Sequence, residues 1–161
     1  MKVLLAVLVS GTVTVAVQAQ APAAPAASRT MVSASDVAAM IAKAKAERKD
    51  QPNIAQSMIQ LAPYNVSLEY RASVGPAAVH ETEAELFYVV DGSATLVTGG
   101  TLTESTRNGA NLTGKGIQGG QSRKIAKGDF VMVPEGQAHW FSAIDGTVVL
   151  MSLHLPHAPA K

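Results

Sequence analysis

Two segments that contain histidine and glutamate hold the residues best suited to chemistry. The first covers 75–92 and reads GPAAVHETEAELFYVVDG, and the second covers 128–143 and reads GDFVMVPEGQAHWFSA. In the first segment we expect His80 to end one strand and Glu85 to begin the next. The short link between them folds the chain back, so the two side chains can converge. In the second segment we expect His139 to open a strand that returns from a tight turn.

The alternation of side chains along a strand predicts which face these residues share. Because successive side chains point to opposite faces, we expect His139, Phe141 and Ala143 to share one face, which is the inner face if the strand lines a barrel. Glu85 should share a face with Phe87 for the same reason. Two imidazoles and one carboxylate that meet inside a barrel form a site for a divalent ion of the zinc, manganese or iron kind.

Composition excludes several other kinds of chemistry. The chain has 161 residues and no cysteine, which excludes disulfides, thiolate metal sites and a cysteine nucleophile. Its residues are 47% hydrophobic and 16% charged, which allows a packed core and argues against global disorder. The formal net charge is +1 and only 4% of residues are aromatic. We therefore expect neither nucleic acid nor an anionic membrane surface as a partner.

The first 19 residues have the features of a signal peptide. Lys2 is followed by an uncharged, mostly apolar stretch over 3–17, and small residues stand at the cleavage positions that end in Ala19. The stretch is shorter than the roughly 20 residues of a membrane span. We therefore expect cleavage, a periplasmic or secreted mature protein, and no membrane association afterwards. The segment 20–32 is an Ala- and Pro-rich linker, and 157–161 is a loose tail.

The remaining sequence predicts one helix followed by strands. A helix is expected over 33–50, where Ser33 and Asp36 resemble a capping box. Over 51–156, short β-rich runs alternate with turn residues and no further helix, which is typical of an antiparallel sandwich or small barrel. Within this region, 99–120 is rich in Gly, Asn and Thr. It is either a mobile lid over a pocket or a decorated surface loop.

The second histidine segment resembles the second signature motif of the cupin superfamily. That motif runs Gly, five residues, Pro, one residue, Gly, two residues, His, three residues, Asn. Gly128, Pro134, Gly136 and His139 match it without a spacing error, and Ala143 stands at the Asn position.

The first histidine segment is similar to the first cupin motif in a degenerate form. Glu85 and Gly92 match in spacing, and His80 falls at the second histidine of the motif. Gly75 lies near its expected place, but Ala78 occupies the position of the first histidine.

The resemblance implies an all-β fold: an antiparallel cupin barrel (double-stranded β-helix, or jelly roll) with one N-terminal helix. It also implies a divalent metal (Zn, Mn, Fe or Ni) held by His80, Glu85 and His139. The family usually supplies three histidines and one glutamate. Here water or substrate would complete the shell, as in catalytic zinc sites.

Further residues are candidates for contact with the metal or its ligand. His154, in the last apolar run, is a possible replacement ligand or general base, and the alternative is a histidine on the outward face of the last strand. Glu85 is the other candidate for moving a proton. Arg71 could anchor a substrate carboxylate through two nitrogens, or lie at the surface. Tyr70 and Trp140 flank the motifs and are further candidates for ligand contact.

Three functions are consistent with this pattern. The first is a metal-dependent enzyme that acts on a small carboxylate-like or sugar-like molecule. The second is a non-catalytic binding cupin that holds a small molecule without metal. The third is a structural protein, and a homodimer is plausible in every case because cupins commonly pair through sheet edges. Fold resemblance alone does not select a reaction.

Overall fold

The structure, a computed structural model, describes residues 29–157 and consists mainly of antiparallel strands with one helix in that range. The predicted antiparallel all-β fold with an N-terminal helix is thus confirmed. The predicted signal peptide, most of the linker and all but the first residue of the tail lie outside the described residues. In chain order the elements are α1 (Ala34–Glu47), β1 (Asn53–Leu61), β2 (Tyr64–Arg71), β3 (Ala77–His80), β4 (Glu83–Thr98), β5 (Thr101–Thr103), β6 (Thr106–Asn108), β7 (Asn111–Gly114), β8 (Gly116–Gln118), β9 (Gln121–Ala126), β10 (Phe130–Val133) and β11 (His139–Pro156).

Helix α1 begins at a capping box and packs on the outer face of the sheet. The backbone N–H of Asp36 donates to Ser33 Oγ at 3.1 Å, and the backbone N–H of Ser33 donates to the Asp36 carboxylate at 3.1 Å. This reciprocal pair satisfies two donors that a helix otherwise leaves without partners. Between 29 and 157, no helix is both long and apolar enough to cross a bilayer. The buried residues between helix and sheet form an outer cluster of Ala44, Met58, Leu68, Tyr70 and Val149.

Strands β4 and β11 are the longest strands and pair with each other along most of their length. Each joins two runs that the sequence predicts as separate strands. β2 pairs with the other edge of β11, while β9 and β10 pair with β4. Gly92 has a φ of 78°, and a Cβ there would lie 2.0 Å from the backbone oxygen of Thr147. Only glycine therefore lets β4 pass this close to β11.

The inner faces of these strands enclose the main apolar core. Phe87 and Phe141 meet edge to face with ring centroids 5.3 Å apart, a favourable arrangement for aromatic rings. Leu96 and Leu150 are almost fully buried in the same cluster. This core packs directly against a buried histidine, since the ring of Phe87 lies 5.9 Å from that of His139.

The segment 99–120 is folded into paired strands. β5 pairs with β8, β6 pairs with β7, and β7 pairs with β3. Asn111 on β7 is the cross-strand partner of His80 on β3. The segment therefore extends the sheet beside one of the candidate site residues, and it is neither of the two loops that the sequence suggests.

Removing the Leu150 side chain tests the assignment of the core. Because this side chain is fully buried, Leu150→Ala should lower the free energy of unfolding by about 2–5 kcal/mol. Met31, which is 73% exposed, provides the control, and Met31→Ala should change stability by no more than about 0.5 kcal/mol. Urea denaturation of both variants measures the difference. Equal stability of the two variants would contradict the assigned core.

Candidate metal centre

Four side chains meet at one end of the barrel, and we call them the His–Glu cluster: His80, Glu85, His139 and His154. His80 ends β3, Glu85 lies near the start of β4, and β11 supplies one histidine at each end. His154 is the cross-strand partner of Glu85, and His139 is paired with Ala78 of β3. The pairing of β4 and β11 thus brings together residues that are far apart in sequence.

The three imidazoles converge on the two oxygens of one carboxylate. His139 Nε2 lies 3.1 Å from Glu85 Oε2, and His80 Nε2 lies 3.4 Å from the same oxygen. His154 Nε2 lies 3.4 Å from Glu85 Oε1. The ligand atoms of His80, Glu85 and His154 all lie within 4.8 Å of one another. One ion could therefore contact these three donors from β3, β4 and β11, whereas the predicted ligand His139 contacts Glu85 but is not part of this group.

The other nitrogen of each imidazole faces a hydrogen-bond acceptor. His80 Nδ1 lies 2.8 Å from Asn111 Oδ1, and His154 Nδ1 lies 2.8 Å from Glu83 Oε1. His139 Nδ1 faces the backbone oxygen of Gln137 at 3.4 Å. In the tautomer whose Nδ1 atoms donate to these oxygens, the Nε2 of each neutral ring presents its lone pair to the cluster. This is the tautomer that binds a metal through Nε2.

Glu85 is the buried anion of the cluster. Ser152 Oγ donates to its Oε1, whereas Oε2 is buried without a hydrogen-bond partner. Burial raises the pKa of the Glu85 carboxyl, but the contacts with His139 and His80 outweigh it and hold that pKa far below its ordinary value. An ionised, buried carboxylate beside three imidazoles fits either protons on the rings or a divalent cation in their place. The cluster is therefore a possible metal site.

His80 responds to the same carboxylate. Glu85 raises the pKa of the His80 imidazole above its ordinary value, burial opposes the increase, and Asn111 reinforces it. A raised pKa means that this ring attracts a proton to the place where a metal ion would lie. The cluster thus favours positive charge at its centre.

His154 faces the cluster. This orientation favours a role as a replacement ligand or general base over a position on the outward face of the last strand. It shares a strand face with Ser152, the buried donor to Glu85. Glu83, Asn111 and Ser152 are not among the residues that the sequence motifs select. Glu83 and Asn111 hold two of the imidazoles, and only the strand register reveals this.

The three predicted ligand-binding residues, Tyr70, Arg71 and Trp140, each have partners within the fold. Tyr70 is buried in the outer cluster, because it points to the face of β2 that α1 covers. Arg71 points to the opposite face, where it pairs with Glu69 at 2.6 Å and its guanidinium lies 4.5 Å from the ring centroid of Phe141. Its charge is therefore already compensated.

Trp140 has a structural partner of its own, and Ala143 differs from expectation. Trp140 Nε1 donates to the backbone oxygen of Gly75 at 2.9 Å, so the indole fixes the start of the segment that leads into β3. Ala143 is exposed, because the register of β11 shifts between Phe141 and Ala143. The expected alternation from His139 to Ala143 ends at this bulge.

Comparisons with known proteins agree with this architecture. A protein-family model described as Cupin matches residues 44–159. Similar solved structures include KdgF from Halomonas sp., with 15% identity and a TM-score of 0.51 over 68% of this chain and 84% of that chain. Another is a cupin superfamily protein from Desulfitobacterium hafniense, with 15% identity and a TM-score of 0.47 over 66% and 79% of the two chains. A comparison with curated proteins finds no match. At 15% identity, the likeness to KdgF shows the fold alone.

Neutralising Glu85 tests the electrostatics of the cluster without metal. Because this carboxylate is the main cause of the raised His80 pKa, Glu85→Gln should lower that pKa in the metal-free protein. Glu81→Gln is the matched control, since Glu81 is the next residue after His80 but pairs with Arg107. Imidazole NMR signals followed through a pH titration measure both variants. A His80 pKa that is unchanged in Glu85→Gln would refute the contact.

Proposed function

The chain belongs to the cupin family, and we propose that it is an exported protein that binds a divalent metal ion at the His–Glu cluster and a small organic ligand beside it. The observation that carries the proposal is the environment of Glu85. Its Oε2 is buried without a hydrogen-bond partner, while three imidazole Nε2 atoms lie within 3.4 Å of the carboxylate. A cation that accepts all these lone pairs resolves the arrangement.

In this proposal His154 takes the place of a ligand from the Ala78 position. Ala78 is paired with His139 across the strands, but its methyl group offers no donor atom. His154 approaches the Glu85 carboxylate from β11 instead. The ion would be held by Glu85 and the imidazoles around it, and water or a ligand would complete the shell.

A bound divalent ion would supply Lewis acidity that polarises a carbonyl or carboxylate oxygen of the ligand. The residues around it have their own tasks. Asn111 and Glu83 orient His80 and His154, and Ser152 holds Glu85. Such outer contacts fix ring orientation and tautomer.

The proposal includes the homodimer expected from the sequence. Phe130 and Met132 are 69% and 50% exposed on β10. Among the described strands, β10 pairs only with β4, so its other edge offers free backbone groups. A second copy that covers this edge would bury both side chains, which supports pairing at this edge.

Metal affinity of histidine variants tests the proposed ligand set. We expect the wild-type protein to bind zinc or manganese, and His139→Ala and His154→Ala each to weaken binding by more than about 10–100-fold, the loss typical of outer contacts alone. His157→Ala is the control, because His157 is 63% exposed and pairs with Glu135 outside the cluster. Calorimetric titration of the metal-free proteins provides the affinities. A wild-type protein that binds none of several divalent ions would refute the proposal.

Asn111 provides a separate test of the outer contacts. Asn111→Ala removes the acceptor that holds His80 Nδ1, so metal affinity should fall by about 10–100-fold. Its cross-strand partner Asn108 on β6 makes a matched control, and Asn108→Ala should bind metal as the wild type does. Equal affinities of the two variants would show that Asn111 does not position the ligand.

A further inference from the structure

A cavity of about 330 Å³ lies against β4, β9 and β10. Its buried floor is apolar and includes Leu96 and Ile125. Its polar side includes Gln121, Arg123 and Gln137. The volume is at the lower end of the range for small-molecule sites, so the cavity suits a ligand of a few carbon atoms.

This cavity adjoins the His–Glu cluster. Thr98 lines the cavity and is the cross-strand partner of both His139 and Gln121. Gln137 also lines it, and its backbone oxygen faces His139 Nδ1 at 3.4 Å. Strands β9 and β11 flank β4 and are separated by two strand spacings, about 10 Å. A small ligand in the cavity can therefore extend from β9 towards the cluster.

Arg123, an exposed side chain, is the charged residue among those that line the cavity. Its Nη2 donates to Gln121 Oε1 at 2.7 Å, and this neutral partner leaves the charge uncompensated. Within 29–157, no carboxylate forms an ion pair with Arg123, whereas Arg71 and Arg107 each pair with a glutamate. The remaining guanidinium donors are suited to a planar anion.

We propose that this cavity binds the carboxylate of a small organic acid, with Arg123 as the carboxylate-binding residue and the rest of the acid directed towards the His–Glu cluster. The inference deepens the proposed function by naming the class of ligand. It rests on that function only for the metal ion, towards which the rest of the acid is directed. Arg123 thus takes the role that the sequence suggests for Arg71.

The chemistry of the cavity favours an acid over a neutral sugar. A carboxylate supplies the counter-charge that Arg123 lacks, and its two oxygens match the fork of the guanidinium. The hydroxyl of Thr98 and the amides of Gln121 and Gln137 add neutral hydrogen-bonding groups, while Leu96 and Ile125 offer contact to a short carbon chain. A sugar would leave the guanidinium without an anion.

The test uses the full chain in zinc-loaded and metal-free forms. The probes are four carboxylates (succinate, malate, glutarate and benzoate), succinamide as the uncharged analogue of succinate, and inorganic phosphate. Titration calorimetry gives dissociation constants, and thermal unfolding confirms that each variant is folded. The variants are Arg123→Gln, Arg123→Lys and, as the control, Arg48→Gln. Arg48 caps the C-terminal end of α1 and donates to the backbone oxygen of Gln51.

At least one of the carboxylates should bind the wild type and the Arg48→Gln variant equally, and succinamide should not bind. Arg123→Gln should weaken that binding by about tenfold or more, as expected when a hydrogen bond to a charged group is lost. Arg123→Lys should recover part of it, because the charge returns without the fork. Zinc affinity should be the same in all four proteins.

Three results would overturn the inference. The wild type could bind none of the carboxylates, or Arg123→Gln could bind a carboxylate as well as the wild type does. The third is that phosphate, and no carboxylate, binds through Arg123. The zinc titration keeps the two proposals distinguishable. If the wild type binds the acid but no zinc, the result would refute the proposed metal site and leave the proposed acid site standing.

Discussion

A buried carboxylate must be balanced by positive charge or by donated hydrogen bonds, because its transfer from water costs several kcal/mol. Glu85 is 4% exposed and has one hydroxyl donor, Ser152, on one oxygen. Around it lie three imidazoles whose Nδ1 atoms face oxygen atoms, and in the tautomer with protons on Nδ1 the neutral rings direct Nε2 lone pairs towards the carboxylate. The arrangement is stable when a cation lies at the centre, either as protons on the rings or as a metal ion. The low pKa of Glu85 and the raised pKa of His80 express this same demand for positive charge.

The barrel exists in this form because β4 and β11 stay paired over long stretches. Their register places His154 opposite Glu85, and the close passage at Gly92 lets the strands continue from one part of the sheet to the next. The apolar core around Phe87 packs against the cluster, since the ring of Phe87 lies 5.9 Å from that of His139. On the other side, β7 brings Asn111 to His80. The segment that the sequence marks as a loop therefore contributes to the geometry of the site.

Motif spacing was sufficient to predict the antiparallel fold and to select His80 and Glu85, two of the three residues that could share an ion, together with His139, which contacts Glu85. It could not orient residues whose direction depends on register. His154 faces the cluster through its pairing with Glu85, and Ala143 turns outward at a bulge. Strand parity does show that Tyr70 and Arg71 point to opposite faces, but only the packed sheet shows which face α1 covers. The sequence did not identify Arg123 as a candidate. Its proposed role depends on its having no carboxylate partner among the described residues, and no local sequence pattern predicts that.

The most direct test of the account is the anomalous diffraction signal of crystals grown from the metal-loaded protein. We predict a single strong peak at about 2.0–2.3 Å from a Glu85 oxygen and from the Nε2 atoms of the three histidines of the cluster. A peak elsewhere in the molecule, or a metal-loaded crystal in which Glu85 does not contact the ion, would contradict the central claim.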